Sequence, residues 1–238
     1  MSTIAQLVAH IQAAPAPVVF LDSCAILDVA RAPRDHPDSV KAASDLIQLL
    51  KRIPRAVHLL VSDIVQKEWD DNIASVNSSA DREIEKARVA YDSVLRVASA
   101  AGVIPHPSPL QRLTTLASSL KDRSQELLRW CDVIDHEVAA VHAAFQRVVN
   151  KQRPSQNKEI KDSYLLEQCF AVARSLGGPA FSPWILFVSS NTNDFADKSQ
   201  SGAIHPDLAN DLNAVGMRYA ASLFTAVGLL RRAGQIPP

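Results

Sequence analysis

Net charge is the first thing this 238-residue chain lacks: 25 Lys+Arg stand against 25 Asp+Glu, a formal sum of zero. That balance excludes a protein that coats nucleic acid by bulk charge, while leaving room for a local basic groove. Cysteine is scarce too. Cys24, Cys131 and Cys169 are odd in number, far apart and without a CxxC pair, which excludes a disulfide scaffold and a zinc ribbon. All three sit in apolar-periodic stretches and are expected to be buried thiols. No apolar run approaches the roughly 18–20 residues of a membrane helix. The opening MSTIAQLVAHIQAAPAP has no basic start and no long apolar core, so no secretory leader is expected. A cytoplasmic, reducing setting is the expectation. Internal repeats and low-complexity tracts are absent. The seven histidines form no HExxH and no metal-ligand spacing, with His106 and His205 placed beside prolines in loops. Ser23 has no GxSxG context, which argues against a serine hydrolase.

What is present is ordinary globular composition, 47% hydrophobic and 21% charged. The length suits a single α/β domain over residues 1–238 that carries an insertion. Residues 2–14 predict a short helix closed by Pro15 and Pro17. VVFLD (18–22) is a buried strand ending in an acid, and SCAILDVAR after it has helical spacing. Residues 39–52 predict a helix capped by Asp38 or Ser39, with Lys51 and Arg52 in its last turn. VHLLVS (57–62) is a second buried strand, and Ser62 or Asp63 caps a helix holding Ile64, Val65, Glu68 and Trp69.

Between about residues 70 and 150 the pattern turns helical. Two or three long helices are expected there, broken at AGVIPHPSP (101–109). Strand and helix then alternate again: an amphipathic helix at 161–175 stopped by Gly177, Gly178 and Pro179, a strand WILFVSS (184–190), a polar loop NTNDFADKS, a short strand MRYA (217–220) and a last helix. The alternation implies βαβ units and a mostly parallel sheet. The fold class read from it is α/β, with a long helical insertion over 70–150.

Ligands of such sheets bind at the carboxyl ends of the strands. Asp22 ends the first strand, Glu68 lies a turn or two into the helix after the second, and Asp194 lies in the loop after the third. Asp162 opens the helix that re-enters the sheet region, with Glu159 as a rival three residues earlier. Glu68 follows Ile64 by four, so an inward Ile64 keeps it on the core-facing side. Converging carboxylates repel and raise one another's pKa values. A hard divalent cation, Mg²⁺ or Mn²⁺, resolves the conflict, because it prefers oxygen ligands and bridges to phosphates. Such a site is the usual physical basis of metal-dependent phosphodiester hydrolysis.

FLDSCAILDVAR, SDIVQKEWDDN, KDSYLLEQC and LFVSSNTNDFAD, in that order, resemble the four acidic motifs of PIN-domain nucleases, nearest to the branch with a helical insertion between the second and third motifs. IHPDLANDLNAVG (204–216) resembles that branch's segment before its last strand. The resemblance covers roughly residues 18–72 and 157–230. It implies an α/β/α sandwich and Mg²⁺- or Mn²⁺-dependent ribonuclease activity. By position it makes Asp22, Glu68, Asp162 and Asp194 the catalytic and metal-binding acids, with Ser23, Asn191 and Thr192 in support. The last motif departs from the common Thr-x-Asp-x-Asp-Phe: Thr192 stands where an acid is frequent, which leaves open whether Asp194 ligates metal, orients water or holds the loop. The family context implies RNA as the partner, single-stranded or structured. It also implies a toxin or defence role, with an antitoxin, another protein or a second copy of the chain as protein partner.

The run Arg147, Lys151, Arg153, Lys158, Lys161 carries five cations against Glu159. Runs of this kind are usually solvated helix ends. This one leads into Asp162, which makes Arg153, Lys158 and Lys161 the substrate-binding candidates, as phosphate contacts that position without reading sequence. Trp69, Trp130 and Trp184 read as core or interface residues. Two alternatives compete. An aspartyl-nucleophile phosphatase would need a second Asp where Cys24 stands. A catalytically weak or inactive RNA- or protein-binding module fits the altered last motif and the neutral charge.

Overall fold

The computed structural model describes residues 1–103, 113, 115–155, 159–200 and 202–237. Five strands, β1 (Val18–Leu21), β2 (His58–Ser62), β3 (Asp132–Ile134), β4 (Ile185–Val188) and β5 (Met217–Ala220), form one sheet in the order β3-β2-β1-β4-β5. Every neighbouring pair is parallel. VVFL and ILFV are buried at every position. A parallel strand covered on both faces needs that unbroken apolar run, whereas an alternating strand would bury polar groups. Each fully buried Phe, Leu or Ile contributes about 1.5–3 kcal/mol. Phe20, Leu59, Leu60, Leu186 and Phe187 are all at 0% exposure, which places the core on this sheet.

Ten α-helices are described: α1 (Ile4–Ala13), α2 (Ser23–Ala30), α3 (Pro37–Leu50), α4 (Asp63–Ala100), α5 (Leu116–Trp130), α6 (Val138–Val149), α7 (Ile160–Ser175), α8 (Thr192–Phe195), α9 (Pro206–Ala214) and α10 (Leu223–Arg232). In one layer α1 and α6 both pack on α7. In the other, α2, α3, α5 and α10 pack on one another. Thr3 and Gln6 close a capping box on α1, and the Ser62 hydroxyl accepts from the Ile64 N–H at the head of α4. No described helix is long and apolar enough to cross a membrane.

Four expectations are corrected. The helix after the Pro-rich loop begins at Pro37, with His36 in the cap position, because proline at the first helical position loses no hydrogen bond. Residues 70–150 are not purely helical. They contain β3, which pairs with β2 and is flanked on its outer edge by Ser2, and α5, which packs on α2 and α3. The 161–175 helix is not amphipathic: the run Ser163–Phe170 is buried throughout, since α7 lies between the sheet, α1 and α6. The polar loop after β4 contains one helical turn, α8. The break at 101–109 lies largely outside the described residues, as does His106. His205 caps α9, its Nδ1 accepting from the Asp207 N–H at 3.2 Å.

Gly216 joins α9 to β5 with φ +67°, and a Cβ there would lie 2.8 Å from the Pro179 Cα. Gly216→Ala is expected to destabilise the fold by about 1–3 kcal/mol from the backbone conformation alone, and more from the backbone clash. Gly234 has φ +66° with none of the described residues within 4 Å of an added Cβ, so Gly234→Ala carries only the first cost. The difference between their urea midpoints measures the close approach.

Candidate active site

The strand order reverses direction of growth between β1 and β4, and a crevice opens outside the carboxyl ends at such a switch point. Asp22 follows β1 directly and is only 4% exposed. It occupies the cap position of α2, yet its side chain makes no capping bond. Its carboxylate faces the crevice partners instead. Oδ2 accepts from the Ser189 hydroxyl at 2.6 Å and from the Cys24 thiol at 2.9 Å, and Oδ1 accepts from the Ser23 hydroxyl at 3.3 Å.

Ser23 Oγ also lies 2.8 Å from Glu68 Oε2, so one hydroxyl bridges acids 46 residues apart in their numbering, Asp22 and Glu68. Glu68 reaches this point because α4 starts at the end of β2 and turns Val65 and Trp69 into the core; Ile64 is partly buried. On the other side, the Asn191 side-chain amide donates to Asp162 Oδ2 at 3.1 Å and to Asp194 Oδ2 at 2.9 Å. The two bridges tie the acids into pairs, Asp22 with Glu68 and Asp162 with Asp194. Among the described residues no three of the four bring ligand atoms within 4.8 Å of one another. They share a field without converging on one point.

The electrostatics link the two pairs. The Asp162 carboxyl is pushed up to about 7 by burial first, then by the charges of Asp22, Asp194, Glu68 and Glu159. Glu159 itself is exposed at the cap position of α7, while Asp162, three residues on, is half-buried and faces the other acids. Counter-charge is sparse. Lys161 Nζ stands 3.7 Å from Glu68 Oε1 with its side chain 62% exposed. Among the described residues Asp22, Asp162 and Asp194 have no ion pair. An all-oxygen donor set with surplus negative charge fits a hard cation such as Mg²⁺ or Mn²⁺. The Cys24 thiol does not compete as a ligand, because burial and the Asp22 charge hold its pKa well above the ordinary range and keep it a protonated donor.

The remaining expected site residues fall as follows. Thr192 opens α8 with its side chain exposed. Arg153 donates Nη1 to the carbonyls of Asn193 (2.9 Å) and Asp194 (3.1 Å), clasping the turn that carries Asp194. Lys158 lies outside the described residues. Arg147, from the same basic run, is drawn inward to Glu167 (2.6 Å) and Asp211 (2.8 Å). Sequence reasoning missed Ser189 and Cys24. Ser189 is fully buried at the end of β4, its carbonyl held by the Tyr219 hydroxyl at 2.8 Å and its Oγ accepting from the Asn191 N–H at 3.1 Å. Its signal was its position: the residue after a buried strand beside the switch point. Cys24 was expected to be a buried thiol; Cys131 and Cys169 are buried, while Cys24 keeps some exposure as a residue although its thiol is enclosed against Asp22.

A family model described as a PIN domain matches residues 19–195, a span that holds all four acids. No curated protein and no solved structure matches the chain.

Proposed function

The chain belongs to the PIN-domain family, a nuclease-type fold, and on that premise we propose that it is a metal-dependent endoribonuclease acting on RNA phosphodiester bonds. The observation that carries this reading is Asp162, pushed up to about 7 by burial and then by the charges of Asp22, Asp194 and Glu68, which puts the four acids within one another's field. These four carboxylates would hold the Mg²⁺ or Mn²⁺. When bound, such an ion supplies charge neutralisation at the phosphate and a more acidic water.

The chain's own groups do the rest. Ser189, Cys24 and Ser23 fix the Asp22 carboxylate, and Asn191 fixes Asp162 and Asp194 in one orientation. Held side chains lose less freedom when substrate arrives. Lys161 is exposed beside Glu68, in position to meet a backbone phosphate, with Lys158 as its neighbour in sequence. Arg153 acts through the Asp194 turn. RNA is the substrate and partner in this reading, single-stranded or structured. A toxin or defence role, with an antitoxin or a second copy as protein partner, belongs to the same reading.

Purified protein is expected to cleave single-stranded RNA with Mn²⁺ or Mg²⁺ and to stop on addition of a chelator. Cleavage that persists in the chelator rejects the metal reading. One observation favours a second reading, a binding module: Thr192, where family members often carry an acid, is exposed and makes no side-chain bond to the acids among the described residues. Tight RNA binding without cleavage under any divalent ion would select that alternative.

A further inference from the structure

The other end of the strands, where they begin, carries a different constellation. His58 is the first residue of β2, roughly 13 Å along the strand from Ser62 at about 3.3 Å per residue. Its register partner is Val18 at the start of β1. His10 sits in the last turn of α1. Asp132 opens β3 opposite Leu60, two residues on from His58 and hence on the same face of the sheet. Each of the three offers a ligating atom within 4.8 Å of the other two, and no other trio of His, Cys, Asp or Glu among the described residues does so.

A second observation points to a ligand. His58 is 0% exposed, and its Nε2 lies 2.9 Å from the Ala14 carbonyl, which can only accept. The proton is therefore on Nε2, and Nδ1 carries the lone pair. Among the described residues that Nδ1 is buried without a hydrogen-bond partner. An unpaired buried acceptor is destabilising unless something binds it. A ring whose N–H is tied to a backbone carbonyl while its other nitrogen stays free is the arrangement by which proteins orient a metal-binding histidine. Asp132 is prepared similarly: Arg55 Nη1 holds Oδ2 at 2.8 Å and leaves the other oxygen as a donor. The His10 and His58 rings lie edge to face with centroids 5.6 Å apart.

We propose that His10, His58 and Asp132 form a second divalent-metal site, separate from the acidic crevice and suited to Zn²⁺. Two imidazoles and one carboxylate make a mixed nitrogen–oxygen set, which favours Zn²⁺ over Mg²⁺, and three protein ligands leave a fourth position for water. The ion would tie the end of α1 to the starts of β2 and β3. Its role is to fasten an N-terminal helix to a sheet edge, and it does not depend on the nuclease reading.

The test titrates the metal-free full chain with Zn²⁺ in excess Mg²⁺, by calorimetry and by the absorption spectrum of the Co²⁺-substituted form. The expected result is one tight equivalent, a higher Tm with Zn²⁺, and the same uptake in Asp22→Asn. His10→Ala, at an exposed helix position where folding is not at risk, and Asp132→Asn should each weaken uptake by about tenfold or more. RNA cleavage by His10→Ala should match the wild type. Absence of stoichiometric uptake, wild-type affinity in either variant, or loss of uptake in Asp22→Asn would each overturn the proposal.

Discussion

Asp22→Asn is expected to abolish divalent-dependent RNA cleavage while leaving the fold as stable as the wild type or more so. The substitution keeps size and shape but removes a charge that is almost fully buried, at 4% exposure, and that has no cation paired with it among the described residues, unlike the buried Asp28 and Glu167. Losing several kcal/mol of metal-linked charge stabilisation in the transition state corresponds to about 10²–10³-fold in rate. Stability should move the other way, because an uncompensated buried charge is itself costly. Ser189 and Ser23 can still hydrogen-bond to the amide by rotating their hydroxyls. The check is kcat on single-stranded RNA beside the Tm of the metal-free protein. A purely structural Asp22 would lower both together, and wild-type cleavage would reject the metal assignment outright.

The same experiment has a natural companion in Ser189→Ala. Ser189 touches no other acid of the set, but its 2.6 Å bond fixes one oxygen of Asp22. A positioning role predicts a higher requirement for Mn²⁺ with cleavage recovered at saturating ion. An equal loss at every Mn²⁺ concentration would argue that Ser189 only supports the fold.

How far the sequence reveals this molecule depends on the range of each interaction. β1 and β4 were legible because burial on both faces leaves a continuous apolar signature, Val-Val-Phe-Leu and Ile-Leu-Phe-Val. β3 was not, because Asp-Val-Ile is too short to show a period and two of its three residues are only partly buried. The one turn of α8 likewise carries no periodicity. Within the crevice, the acids could be read from their places relative to strands. The groups that hold them could not. Ser189 contacts Asp22 across 167 residues, and although it directly follows a legible strand, nothing in the sequence pairs it with that acid. The His10, His58 and Asp132 trio shows the limit more sharply, since no spacing rule links helix, strand and edge strand until the sheet order is known.

Asp162 gives the last prediction, and its sign separates charge strain from ordinary acid denaturation. An ordinary Asp titrates near 3.8, and this one sits at about 7 in the folded protein. Between those values the folded state holds a proton that the unfolded state has released, so metal-free stability falls as pH rises through the window and stays low above it. The span amounts to something on the order of 3 kcal/mol, allowing for the water that reaches a half-buried carboxyl. For a chain of this size that is about 6–12 °C in Tm. His58 opposes this slope, because burial lowers its pKa and a neutral buried imidazole favours folding as pH rises. The contribution of Asp162 is therefore read as a difference between wild type and Asp162→Asn. The variant should equal the wild type near pH 4 and exceed it near pH 8. Mg²⁺ or Mn²⁺ should close the gap at the higher pH by stabilising only the protein that keeps the carboxylate, since a ligand of the folded state raises Tm by linkage. A gap that is absent, or that divalent ions leave untouched, would mean that Asp162 is not the desolvated, charge-crowded carboxyl that the metal-site reading requires.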